Sequence, residues 1–154
     1  MRPTRTLLTG ILAFAALAAC QPNASTGPGE VAWDRDSCER CAMAIGDKRF
    51  ATQVRDSREG HLHFFDDLGC AVLWIADHEP EADLSASEAP PELWVRDAAG
   101  ERWIDARTAR FSGNHQTPMG YGFGTASAGS GRGLTLHEVA QLIAGEDERR
   151  HPGH

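Results

Sequence analysis

The sequence lacks any run of about 20 apolar residues, the length a membrane-spanning helix needs. The nearest approach, Leu7 to Ala19, is too short to cross a bilayer comfortably. Basic residues are scarce as well: 15 Lys and Arg stand against 22 Asp and Glu, a net charge of −7. That balance argues against nucleic acid or an anionic lipid surface as a partner. Signatures of catalysis are missing. There is no Gly-rich phosphate loop and no Ser-His-Asp order, and the paired carboxylates Asp66-Asp67 have no second acidic pair to suggest hydrolysis. Catalytic turnover is therefore not expected. Sulfur is sparse too, with four cysteines and three methionines, which makes the placement of each one informative.

Arg2 and Arg5 precede the short apolar run, which ends Leu17-Ala18-Ala19-Cys20. This is the pattern of a signal peptide (residues 1–19) closed by a lipobox, with Cys20 as the lipidated residue. Several acyl chains on one cysteine give firm anchoring without a spanning helix. Gln21 stands where an aspartate would argue for inner-membrane retention, so a periplasm-facing lipoprotein of the outer membrane is favoured. The mature chain would carry 13 basic against 22 acidic residues, a net charge of −9. Residues 20–32, rich in Pro, Gly, Ser and Asn, read as a flexible tether. Residues 33–145 form one domain of ordinary size, and the charged residues 146–154 read as a disordered tail.

Within the domain two stretches look alike. Val54-Arg55-Asp56 leads through Gly60 to His61–Asp66, and Val95-Arg96-Asp97 leads through Gly100 to Glu101–Asp105. Each reads as strand, turn, strand, with period-two alternation. Asp66 or Asp67 can cap a buried helix from about Leu68 to Ala76. Thr135 and Glu138 form a capping box ahead of Leu136, Val139, Leu142 and Ile143, with Gly145 as the stop. A Pro-rich link, Glu79 to Pro91, and a Gly/Ser-rich run, Gly120 to Gly133, separate these elements. The fold class predicted is α+β: two small repeated hairpin-plus-helix units, ββαβ-like, packed side by side.

The chemistry concentrates in sulfur. Cys38-Glu39-Arg40-Cys41-Ala42-Met43 combines CxxC with C-x-M. In an extended segment residues 41 and 43 project to one face, which would pair a thiolate with a thioether. Soft sulfur ligands favour Cu(I), whereas zinc seldom takes a thioether. A second methionine, Met119, sits in Thr117-Pro118-Met119-Gly120-Tyr121-Gly122, a stiffened and tightly bending loop unlike an apolar core stripe. Met43 reads equally as ligand or core, and Cys38 as ligand or half of a structural disulfide. Cys70, on the buried helix, reads as a packing residue. His115, just before the Met119 loop, is a further candidate ligand or a solvated loop residue, and His61 and His63 share a strand face and read equally as metal ligands or as an exposed polar face.

Together Cys38–Ile45, Arg49-Phe50-Ala51, Phe65-Asp66-Asp67, Trp94–Asp97 and Thr117–Gly122 resemble the NosL family, over roughly Trp33 to Ile143. The resemblance implies a lipoprotein that binds Cu(I) and supplies it to apo nitrous-oxide reductase or its assembly factors during maturation of the copper centres. It also implies Cys41, Met43 and Met119 as ligands, while Cys38 is offered as a second thiolate by its CxxC spacing alone; Cys41 and Met119 rank first, then Met43, then Cys38. Two rival readings are a thiol-disulfide oxidoreductase using Cys38 and Cys41, and a structural lipoprotein. The first is disfavoured because such enzymes place CxxC at a helix start, whereas turn and strand follow here.

Overall fold

The computed structural model describes residues 26–86, 91–127 and 131–153. The signal segment, Cys20 and the first half of the tether lie outside them. Among the described residues no helix is long and apolar enough to cross a membrane.

Strands β1 (Thr52–Arg55) and β2 (Leu62–Phe65) form the first hairpin, and β3 (Glu92–Arg96) and β4 (Trp103–Asp105) the second. The repeated sequence produces the same turn twice. Asp56 accepts from the backbone N–H groups of Arg58, Glu59, Gly60 and His61, and Asp97 accepts from those of Glu101 and Arg102. Gly60 (φ 72°) and Gly100 (φ 73°) supply the left-handed residue that each turn requires. Arg55 and Arg96 each reach the carbonyl of their own turn glycine.

The resemblance stops at the turns. The expectation of two units side by side is not reproduced, because β1 pairs antiparallel with β3 and the hairpins merge into one sheet of order β2-β1-β3-β4. The first helix, α1 (Leu68–His78), follows its hairpin directly. The second, α2 (Leu136–Arg150), comes only after a ribbon of β5 (Phe111–Ser112) and β6 (Gly124–Thr125). The α+β class holds, with antiparallel sheets and two helices.

Helix α1 packs on one face of the large sheet, and α2 packs against α1. Val54, Phe65, Leu93 and Val95 share one buried core with Val72 and Ile75 of α1 and Leu136, Val139 and Ile143 of α2, all under a tenth exposed. Burying side chains of this size contributes roughly 1.5–3 kcal/mol each before ordering costs. The other face explains why the central strand β1 is buried on both sides. Gln53 is 0% exposed, and its amide is satisfied by Gly29, which donates N–H to Oε1 (2.8 Å) and accepts from Nε2 (2.9 Å). Arg55 donates to the Gly27 carbonyl at 2.6 Å, and Gly27 N–H donates to Glu92 at 2.8 Å. The tether read over 20–32 is therefore docked from Gly27 onward: its glycines expose backbone polar groups that the buried Gln53 and Arg55 need.

A second correction concerns the tail. Helix α2 does not stop at Gly145 but runs to Arg150, so residues 146–150 are helical. A mid-helix glycine costs about 1 kcal/mol. Pairs of Glu146 with Arg149 and Arg150 at 2.9 and 3.1 Å offset part of this, and contacts of this last turn with the Met119 loop add to it.

Candidate metal centre

Three cysteines and one aspartate converge beneath the start of α1. One ligand atom from each of Cys38, Cys41, Asp66 and Cys70 lies within 4.8 Å of all the others, and this is the one such group among the described residues. Each member arrives by a different local device.

Cys38 and Cys41 are placed by a tight loop. Ala42 N–H donates to the Cys38 carbonyl (2.9 Å), Cys38 N–H donates to the Met43 carbonyl (2.8 Å), and Ser37 bridges to Ala44. Ala42 takes φ 61°, so the stretch from 41 to 43 is not extended and its side chains do not share one face as the sequence suggested. The loop turns Cys38 inward, at 2% exposed, leaves Cys41 half-buried, and sends Met43 out at 47% exposed.

Asp66 and Cys70 come from the β2–α1 junction. Asp67 is the N-cap and accepts from Gly69 N–H at 2.8 Å. Cys70 then falls in the first helical turn, where side chains lean back toward the N-terminus and hence toward Asp66. Read as a packing residue, Cys70 is instead part of the cluster, and Asp66 is a member that capping alone had explained. The available signal was a cysteine within one turn of a helix start beside an uncommitted carboxylate. An apolar surround concealed it.

The cluster shares its protons unevenly. The Cys70 thiol hydrogen-bonds to Cys38 and, with backbone N–H groups of the loop, holds Cys38 down at about 4, against the opposing effect of burial. Cys70 is pushed up by that same bond and by burial. Burial pushes Cys41 up to about 11 and Asp66 up to about 6, each raised further by the charge on Cys38. Cys41 Sγ donates to the Asp66 carboxylate at 3.5 Å. The free protein thus holds one ready thiolate inside and a protonated thiol at the opening.

Asp67 brings in the third segment. Its second oxygen accepts from Met119 N–H at 3.0 Å, and Thr117 bonds to it as well. Gly122 N–H closes the loop onto Thr117 Oγ1 at 3.1 Å. The loop 117–122 is thereby fastened to the helix start next to Asp66, with Met119 partly buried there. Tyr121 packs against Gly69, where a Cβ would come within 2.1 Å of its ring. The ring cannot easily retreat, since Tyr121 OH donates to Asp147 at 2.9 Å. Gly69→Ala should accordingly lower stability by about 2 kcal/mol through overpacking, measured by denaturant unfolding. An unchanged midpoint would mean that the ring is free to shift.

His115 is not brought into the cluster. Its ring pairs through Nε2 with Ser112 Oγ (2.8 Å) and packs edge-on against Phe50, and its N–H donates to the Gly122 carbonyl. His63 is held between Asp56 (3.2 Å) and Glu39 (3.5 Å), while exposed His61 pairs with Glu59.

Compared by sequence, the chain matches no protein-family model and no curated relative. Compared by structure, it is similar to the copper chaperone NosL from Shewanella denitrificans: TM-score 0.52, 16% identity, covering 79% of this chain and 89% of that one. This chain has a NosL-like fold. At that identity the NosL likeness concerns the course of the backbone, so the chemistry of the centre has to be argued from the residues of this chain. Three sulfurs and one carboxylate oxygen at this spacing fit a soft, thiophilic metal ion.

Proposed function

We propose that the protein is a Cu(I) chaperone that holds the ion as cargo on Cys38, Cys41 and Cys70, with Met119 at the edge of the site. It would deliver that ion to apo nitrous-oxide reductase or its assembly factors. The observation that carries this reading is the convergence of three cysteine sulfurs within 4.8 Å of one another. Trigonal thiolate sulfur suits Cu(I), and the half-buried Cys41 gives an acceptor's ligand a point of entry before the buried donors let go. Export and anchoring through Cys20 would put the centre on the periplasmic side of the outer membrane, close to enzymes matured there.

A disulfide-exchange role fits less well. The low-pKa thiol, Cys38, is 2% exposed and out of a substrate's reach, while the accessible Cys41 is held protonated. Zinc is the second reading, because Asp66 adds an oxygen to three sulfurs and completes a four-donor set. Titration of the reduced protein with Cu(I) against a competing chelator, repeated with Zn(II), separates the two. We expect about one Cu(I) per chain, an absorption edge showing sulfur ligands, and no displacement by equimolar Zn(II). Zinc binding as tight as copper would overturn the copper reading.

A further inference from the structure

The last two turns of helix α2 bond both to the loop that carries Met119 and to the loop that carries Cys38 and Cys41. Arg150 donates through Nη1 to the Met119 carbonyl (3.1 Å) and through Nη2 to the Gly120 carbonyl (2.9 Å). Its guanidinium lies 4.8 Å from the Tyr121 ring centre. One turn earlier, Asp147 accepts from Tyr121 OH at 2.9 Å and faces Arg40, between Cys38 and Cys41, at 3.6 Å. Glu146 holds Arg150 in place at 3.1 Å. The loop 117–122 is thus fixed at two points, by the Asp67 carboxylate and by the helix end.

This exceeds what helix stability requires. A helix terminus can satisfy its groups with water, and an arginine in the last turn already interacts favourably with the helix dipole. Here the guanidinium instead spans two successive carbonyls of a loop some thirty residues away in sequence. Planar two-point donation fixes orientation as well as distance, which a lysine would not reproduce.

We infer that Arg150 and Asp147 are positioning residues of the metal centre: they latch the Met119 loop and the Cys38–Cys41 loop together. The inference rests on the copper reading and adds to it the reason for the helix's continuation past Gly145. Neither residue is itself a donor to the ion. Arg150 acts through Met119 and Gly120, and Asp147 through Tyr121 and Arg40.

The test uses the full reduced chain and Cu(I) alone as probe. Arg150→Gln should weaken Cu(I) binding roughly tenfold, the equivalent of one charge-assisted hydrogen bond, while the thermal midpoint of the copper-free protein stays within about 2 °C of the parent's. Arg150→Lys should recover only part of the loss. In a Met119→Ala background Arg150→Gln should cost little more, since the latch acts through that loop. Asp147→Asn, which keeps an acceptor for Tyr121 but loses the charge facing Arg40, should show a smaller loss. Unchanged affinity in Arg150→Gln, or a full tenfold loss persisting in the Met119→Ala background, would overturn the latch while leaving the copper site standing. Failure of the parent itself to bind Cu(I) would overturn both.

Discussion

Cys70→Ser is expected to lower Cu(I) affinity by roughly a hundredfold or more, a larger loss than Met119→Ala should cause. The comparison is with substitutions one shell out from a metal, which already cost 10–100-fold; removing a donor sulfur should exceed that. Serine is nearly isosteric, and Cys70 is fully buried on α1, so the helix keeps its packing. The hydroxyl can still donate toward Cys38, which keeps the local hydrogen bond that the thiol makes. Affinity should therefore fall with little change in unfolding midpoint. Copper-edge absorption should lose one sulfur from the coordination shell. An unchanged affinity with a lowered midpoint would return Cys70 to the packing role that its apolar neighbours suggest.

The second large effect concerns pH. Metal binding releases whatever protons its ligands carry. In the free protein Cys41 sits at about 11 and Cys70 is also pushed up, so at neutral pH both are thiols and each must lose a proton to bind. Cys38, at about 4, is already a thiolate and contributes nothing to the slope above pH 5. Apparent Cu(I) affinity should consequently rise with pH, roughly a hundredfold per unit for two displaced protons, between about pH 6 and 9. Below about 6 the Asp66 carboxyl takes up a proton as well, which weakens the centre's hold on a cation further as the pH falls. Competition titrations at several pH values, corrected for the chelator's own protonation, measure the slope. A slope of one proton would exclude either Cys41 or Cys70 as a ligand. A flat profile would exclude both.

The two effects are linked by the same geometry. A buried thiol and a half-buried one beside a buried carboxylate are costly to ionise in the free state, and a bound cation offsets that cost. Acidification therefore opens the site chemically, while the latch of Arg150 and Asp147 governs how firmly it is held mechanically.

Much of the scaffold could be read before folding. The capping box of Thr135 and Glu138 starts α2 where expected, and Asp67 caps α1, because capping depends on residues three positions apart. Both hairpins follow from alternation and from an aspartate and a glycine placed to close each turn. The soft-sulfur character of the chain also belongs to its composition and local motifs, and Cys38 and Cys41 are loop neighbours by spacing alone.

Only the tertiary structure decided the rest. Cys70 and Asp66 became partners of the CxxC loop because helix α1 begins against it, a contact that no local period encodes. Ala42's left-handed backbone, set by the loop's own hydrogen bonds, turned Met43 outward where an extended chain would have paired it with Cys41. Gly27 and Gly29 ceased to be tether because a two-sided central strand left the Gln53 and Arg55 side chains in need of partners. Helix α2 outran Gly145 because its end had carbonyls to hold on a distant loop. Propensity and capping act over a few residues and are written locally. Satisfying a buried polar group or assembling donors around an ion joins segments that meet only after the chain has folded.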